Sequence, residues 1–238
     1  MAFKKLTAPT LTDLFVEELK RMILSGELKI GEKLPTERQL AQEMNVSLAV
    51  INAGINRLTA LGFIRVAPRK GLFVADYIRN GNIDTMMEML SFSGSYISHD
   101  LLDPISNLRR SIETGAARLA CKNRSEEQLA TMSGLLTQIS EESDPELVAD
   151  CAFHFFHEMT ISSDNPYYPM ICMSFHSVYQ FFFRLLLSNQ AEKDRLRAAL
   201  QTLYDAIAAQ DEEAAEHAVL MKIEEWLEWF ELSGKIIR

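Results

Sequence analysis

The stretch from Pro35 to Val74 constrains the fold most, because two short helical patterns and one alternating pattern follow one another there with almost no spacer. Pro35 prevents a helix from running in from upstream, and Thr36 stands three residues before Gln39. That is a capping box, in which side chain and backbone satisfy each other's orphan groups at a helix start. Leu40, Ala41 and Met44 then give a narrow apolar stripe suited to a short helix, which Asn45 ends. Ser47 is a good N-cap for a second helix, whose apolar positions Val50, Ile51, Ile55, Leu58 and Leu61 keep helical spacing until Gly62. Gly54, inside that helix, costs about 1 kcal/mol relative to Ala and implies close helix packing. After Gly62 the period becomes two: Phe63-Ile64-Arg65-Val66 and Leu72-Phe73-Val74 flank a turn at Pro68-Arg69-Lys70-Gly71, a β-hairpin with two cations at its tip. Upstream, Leu11, Phe15, Leu19, Met22 and Ile23 mark a first amphipathic helix that ends at Ser25-Gly26.

Three helices followed by a basic hairpin form a winged helix-turn-helix, assigned to residues 1–76. Charge agrees with a nucleic-acid partner. Residues 1–80 hold twelve Lys/Arg against eight Asp/Glu, a net of +4, which leaves −13 for the other 158 residues of a chain whose total is −9. Affinity for DNA follows local counterion release, so clustered cations suffice on an acidic protein. The polar, turn-rich run 77–82 reads as a linker. From 83 onward the alternating pattern is replaced by helical periods, expected at 83–93, 100–122, 125–141, 145–162, 167–189, 192–209 and 211–232. Asp103-Pro104, Ser125-Glu126, Asp144-Pro145 and Asn165-Pro166 punctuate them. The fold class is therefore mainly α: a winged helix-turn-helix followed, over 83–238, by an antiparallel all-α bundle able to enclose a pocket.

The run SGELKIGEKLPTERQLAQEMNVS and the turn RKGLFV resemble the GntR-type bacterial transcription regulators. Gly26, Gly31, Leu34-Pro35, Glu37-Arg38, Leu40-Ala41, Val46-Ser47, Gly71 and Phe73-Val74 carry the resemblance at fixed spacing. It implies that the second helix of the pair enters the major groove of operator DNA and the wing lies along the backbone or minor groove. The DNA-contacting positions it implies are Thr36, Arg38, Ser47, Leu48, Asn52, Arg69, Lys70 and Gly71. Relatives usually begin this helix Ser-Arg-Thr-x-Val-Arg-Glu-Ala-Leu, whereas here Leu48 and Asn52 replace both arginines. Arginine reads guanine bidentately, while an amide suits adenine, so the operator should differ from that of a typical relative.

The second region resembles the helical effector-sensing FCD domain of the FadR-like branch, through LRRSIETGAARLA at 108–120, DCAFHFFHEMTISSDNP at 150–166 and AIAAQDEEAAEHAV at 206–219. In many relatives an Asp and three His hold a divalent metal that in turn holds a small carboxylate. Asp150 and His154 occupy the first two positions, on one helix face. The other two, eleven residues to either side of Asp211, fall on Leu200 and Lys222, neither of which is an ordinary metal ligand. No metal cofactor is therefore expected, with Asp150 and His154 as the residual metal candidates. Lys222 is expected to take the metal's place and pair with Asp150, and Arg109 matches a pocket arginine. His157 and His176 admit two readings, structural histidines or parts of a non-standard metal site with Asp150 and His154. The expected effector residues are Arg109, Asp150, His154, His176 and Lys222.

No N-terminal apolar run resembles a signal peptide, and FFFRLLL is short and interrupted by Arg184, so a cytoplasmic protein without a membrane partner is expected. Cys121, Cys151 and Cys172 lack metal spacing and read as reduced thiols. Cys151 neighbours Asp150 and His154 in sequence but points elsewhere on a helix, and no phosphate loop or nucleophile elbow is present, so catalysis is not expected. The reading is a homodimeric transcription regulator, a repressor, whose bundle binds a small anionic metabolite and changes affinity for double-stranded operator DNA. The alternative is an interaction or sensor protein of the same fold with weakened or altered DNA binding.

Overall fold

The computed structural model describes residues 8–92, 97–187, 189–233 and 236–237. The chain divides into two compact units, Met1–Phe92 and Ser93–Arg238. In the first, α1 (Leu11–Leu24) starts at Thr10, which forms a capping box with Asp13. The Thr36–Gln39 box opens α2 (Glu37–Glu43), and Ser47 caps α3 (Leu48–Ala60) by accepting from the Val50 amide. Between α2 and α3 the backbone turns at Asn45 in the left-handed region, φ 52°, a conformation Asn tolerates better than most residues. Strands β1 (Ile64–Ala67) and β2 (Gly71–Val74) pair antiparallel in the register Ile64↔Val74 to Ala67↔Gly71. Residues 31–34 add a third edge through Gly31 N–H to the Val74 carbonyl and Leu34 N–H to the Leu72 carbonyl.

The core of this unit joins Phe15, Val16, Leu19 and Ile23 of α1 to Ile51, Ile55 and Leu58 of α3 and to Phe63, Leu72 and Val74 of the sheet. Gly54 explains how closely α1 and α3 approach. A Cβ built on it lies 2.2 Å from Phe15 Cδ1, inside contact distance, so the Phe15 ring occupies the space of the missing side chain.

The expected linker is ordered structure. Asp76 caps a short helix, α4 (Tyr77–Asn80), by accepting from the Arg79 amide. Helix α5 (Ile83–Phe92), expected with the bundle, belongs to the first unit. Thr85, 1% exposed, donates through Oγ1 to the Leu61 carbonyl at 2.7 Å, Lys20 of α1 bonds Glu88, and Met89 packs on the core. The division between units thus falls after Phe92 rather than at the linker expected over 77–82. A buried threonine that satisfies the last turn of another helix leaves no mark on the hydrophobic period.

The second unit is a helical bundle of α6 (His99–Asn123), α7 (Glu126–Glu141), α8 (Pro145–Ile161), α9 (Tyr167–Ser174), α10 (His176–Leu186), α11 (Gln190–Ala208) and α12 (Glu212–Ser233). Ser125 caps α7 in a box with Gln128, and Asp144 caps α8 just before Pro145 at its first position. The single helix expected over 167–189 is two helices, broken at Phe175, whose amide bonds the Cys172 carbonyl at 3.0 Å. Neither Gly nor Pro marks that break. Helix α12 runs along α6, where Ala116, Ala117 and Ala120 are fully buried and allow the approach. Among the described residues no helix is long and apolar enough to cross a membrane.

Two glycines test the packing account. Gly54→Ala should destabilise the protein, because overpacking against Phe15 costs about 1–3 kcal/mol and outweighs a helix-propensity gain of about 1 kcal/mol. Gly134→Ala, on an exposed face of α7 with nothing within 4 Å of the new Cβ, should stabilise it by roughly 0.5–1 kcal/mol. Urea denaturation of both variants checks this; stabilisation by Gly54→Ala would contradict the Phe15 contact.

Candidate nucleic-acid interface and candidate effector pocket

In the first unit the tight α2–α3 turn sets two capped helix starts close together in sequence, with Thr36, Arg38, Ser47, Leu48 and Asn52 all exposed. Thr36 Oγ1 and Ser47 Oγ both serve as caps, accepting from Gln39 and Val50 amides. Burial divides α3 into a core face of Ile51, Gly54, Ile55 and Leu58 and an exposed face that carries Leu48, Asn52 and also Asn56. At the wing tip, Lys70 N–H bonds the Ala67 carbonyl at 3.0 Å, with Pro68 and Arg69 between them. Arg69 has φ 63° and Gly71 φ 111°, so the turn presents the exposed Arg69 and Lys70 side chains. Arg65, exposed on β1, lies with its guanidinium 5.1 Å from the Phe73 ring centre. Asn56 and Arg65 were not singled out by the sequence motif, yet both sit on exposed faces continuous in sequence with those that were. Asn56 is signalled by its position one helical turn after Asn52.

In the second unit the residues converge on a carboxylate that the motif reading overlooked, Glu113 of α6. Its side chain is buried, and three groups from three helices clasp it. Arg109 Nε donates to Oε1 at 2.7 Å, Tyr179 O–H to the same oxygen at 2.6 Å, and Lys222 Nζ to Oε2 at 2.8 Å. The one sequence signal for Glu113 is its i,i+4 spacing from Arg109, a favourable ion-pair spacing on a helix. The Arg109 guanidinium carbon lies 4.9 Å from the Trp226 ring centre and 5.5 Å from that of Tyr179, and Lys222 Nζ lies 3.6 Å from that of Phe156. Both cations therefore gain cation–π attraction as well as the shared carboxylate.

Charge is unbalanced in this cluster, since two cations share one carboxylate. Burial alone would raise the Glu113 carboxyl, but Arg109 and then Lys222 outweigh it and hold it at about 2. Lys222 moves the other way for an ammonium: burial, with Arg109 adding repulsion, outweighs the attraction of Glu113 and brings it down to about 8. Burial and the nearby carboxylate push the Tyr179 hydroxyl well above its ordinary range, so it remains a donor. Beside Arg109 and Glu113 lies an apolar pocket lined by Phe156, Tyr179, Phe182 and Trp226 among others. A second pocket shares Arg109, Phe183 and Trp226 with the first and is also lined by Lys222, Arg195, Glu192 and Glu225.

The expected Lys222–Asp150 pair does not form. Lys222 is buried against Glu113, whereas the Asp150 side chain is 46% exposed. Attraction between charges is strongest where water is excluded, so the buried ammonium selects the buried carboxylate. Asp150 instead accepts from Gln180 Nε2 at 3.0 Å and lies 3.4 Å from both His154 Nδ1 and His176 Nε2. The structure thus brings Asp150, His154 and His176 together and separates them from the Arg109–Lys222 pair. His154 Nδ1 bonds the Asp150 backbone carbonyl at 2.8 Å, so that nitrogen carries the proton and the lone pair stays on Nε2. Leu200 is fully buried and has no donor atom. Among the described residues, no group of three or more His, Cys, Asp or Glu is arranged to hold a metal ion. The residues present do not fit the divalent metal of the resembling family.

His176 packs edge-on against Phe153, 4.4 Å between ring centres, and Phe153 in turn contacts Tyr179. His157 stacks on Phe153, and burial, then His154, depresses its protonation. Cys151 reaches towards Gln138 on α7 rather than joining His154. Burial raises Cys121 to about 11 and Cys172 to about 12, which keeps both thiols protonated.

Comparison with known proteins agrees with both halves of this geometry. Bacterial regulatory proteins of the gntR family match residues 12–74, and the FCD domain matches residues 104–225, half of the chain. The galactonate operon transcriptional repressor of Escherichia coli K12 is 26% identical over 214 residues, 89% of this chain and 93% of that protein. LutR of Bacillus subtilis 168, an HTH-type transcriptional regulator, is 25% identical over 84% of this chain and 91% of its own. Among solved structures, that of Lar, which controls expression of the Listeria monocytogenes agr system, has a TM-score of 0.63 at 19% identity. It covers 95% of this chain and 99% of that one, a likeness of fold.

Glu113 is the residue whose loss should cost most. Glu113→Gln leaves two cations without a buried counter-charge and should destabilise by about 3–5 kcal/mol, whereas Lys222→Met, which leaves the Arg109–Glu113 pair intact, should cost less than half as much. A carboxyl held near 2 when folded and near 4.5 when unfolded binds more protons unfolded, so its stabilisation is complete above about 4.5 and is lost as pH falls towards 2. Denaturation midpoints between pH 5 and 3 should therefore fall more steeply for the wild type than for Glu113→Gln. Parallel curves would contradict the assignment.

Proposed function

The chain belongs to the gntR family of bacterial regulatory proteins and carries an FCD domain, and from that premise we propose a DNA-binding transcription repressor controlled by a small carboxylate-bearing metabolite. The observation that carries the proposal is the surplus positive charge of the Arg109–Glu113–Lys222 cluster at the edge of a cavity. A carboxylate entering there supplies the missing counter-charge, and a guanidinium offers it two parallel N–H donors. Arg109 is the primary anchor and Lys222 the second cation. Asp150, His154 and His176 form a separate polar cluster and have a secondary role in effector binding.

The winged helix-turn-helix supplies the other half of the reading. Thr36, Arg38, Ser47, Leu48, Asn52, Arg69, Lys70 and Gly71 contact operator DNA, with Arg38, Arg69 and Lys70 meeting phosphates. Homodimerisation follows from the paired half-sites that such readers use. The metabolite acts by binding the dimer's high- and low-affinity states unequally, and its effect on the operator cannot exceed that difference. A relative named for the galactonate operon makes sugar acids the first probes, followed by hydroxy acids, dicarboxylates and acyl-CoAs.

Ligand-induced thermal shifts across that panel should identify an acid that raises the melting temperature of the wild type and changes its mobility-shift affinity for DNA from its own promoter. Arg109→Gln should abolish the shift while leaving ligand-free DNA binding intact. An acid that still shifts Arg109→Gln would contradict the anchor, and the absence of any salt-sensitive, sequence-selective DNA complex would contradict the regulator. Metal analysis of the purified protein should find well under one tightly held divalent ion per chain; stoichiometric zinc, nickel or manganese lost with His154→Ala would overturn the metal-free pocket.

A further inference from the structure

The base-reading face of α3 carries no charge. Leu48, Ala49, Asn52, Ala53 and Asn56 are all exposed, opposite the buried Ile51, Gly54, Ile55 and Leu58. The first charged residue of the helix is Arg57, and its Nη1 donates to Asp13 at 2.8 Å, back towards α1. What α3 can offer a groove is therefore two carboxamides one helical turn apart, flanked by methyl and methylene groups. Cations lie outside it, on α2 at Arg38, on β1 at Arg65 and on the wing at Arg69 and Lys70.

Chemistry then restricts the partner. A carboxamide places a donor beside an acceptor, which matches adenine, with its N7 acceptor and N6 donor. Guanine presents two acceptors on the same edge, so one of them would face the amide oxygen, and cytosine presents a single donor. Thymine adds a methyl group, the natural contact for Leu48, Ala49 and Ala53. Residues at i and i+4 stand roughly 6 Å apart, and base pairs rise about 3.4 Å, so Asn52 and Asn56 span about two base-pair steps.

Resting on the regulator reading above, we infer that α3 reads A·T pairs: Asn52 and Asn56 each engage an adenine within about two base pairs of one another, and Leu48, Ala49 and Ala53 contact neighbouring thymine methyls. Arg38, Arg65, Arg69 and Lys70 hold the phosphates and set affinity without sequence preference, the ordinary division between positioning and specifying contacts. Specificity at these positions thus comes from amide geometry and methyl contact, and it should be insensitive to salt where affinity is not.

Selection of a random duplex library on the full-length protein, followed by sequencing, tests this. Recovered half-sites should contain two A·T pairs at that separation. Replacing either adenine by 7-deazaadenine should weaken binding roughly tenfold, within the discrimination of one bidentate pair, and replacing flanking thymine by uracil should weaken it about two- to fivefold. Asn52→Ala and Asn56→Ala should each erase preference at one of the two pairs, while Lys70→Ala should lower affinity for all duplexes alike. Half-sites with G·C at these positions, or a preference for adenine that survives in both asparagine variants, would overturn the inference and leave the regulator intact. Recovery of no enriched sequence would overturn the regulator reading as well.

Discussion

One buried carboxylate organises the second half of this molecule. Glu113 on α6 accepts from Arg109 one turn before it, from Tyr179 on α10 and from Lys222 on α12. Taking three charges out of water is costly, and such a group persists only where each polar atom finds a partner. Here the aromatic rings of Phe156, Tyr179 and Trp226 complete the shell. The same arrangement ties three helices together and leaves two cations sharing one carboxylate beside an apolar pocket, the feature on which the proposal of an anionic effector rests.

The first unit works by different physics. Its helices are short, and their positions rest on caps and close packing rather than on buried charge. Thr10, Thr36 and Ser47 each satisfy the start of a helix, and Gly54 lets Phe15 seat α1 directly against α3. With the core face of α3 set by Ile51, Ile55 and Leu58, the opposite face is determined too. Helical geometry therefore presents Leu48, Asn52 and Asn56 together, and the family's habitual arginines are absent from where they would meet bases. At the wing, Arg69 and Gly71 take positive φ, and the Arg69 and Lys70 side chains are exposed.

Much of the fold was legible from local rules. Caps at Thr36, Ser47, Ser125 and Asp144, the proline at 145 and the change of period after Gly62 each have a local physical cause, and the elements begin and end where those causes lie. What was not legible depended on distant partners. The family's ligand pattern pairs Lys222 with Asp150, but its partner is Glu113, 109 residues away and selected by burial. Helix α5 joins the first unit through the packing of Met89, a buried threonine and a lysine–glutamate contact, and the two polar contacts leave no mark on the periodicity. The break at Phe175 has no glycine or proline to announce it. Polar groups satisfied across long sequence distances are where pattern reading stops.

An ammonium that is buried and shares its carboxylate with a second cation gives up its proton more easily than an ordinary lysine. Heteronuclear NMR of the ligand-free protein, with the Lys222 side-chain resonance assigned by its loss in Lys222→Met, measures that titration. A midpoint near 8, far below an ordinary lysine, is the predicted result and would show an ammonium whose burial and repulsion from Arg109 together outweigh the pull of Glu113. A midpoint above 10 would mean that Glu113 neutralises Lys222 fully, and the account of the pocket as an anion site would fail.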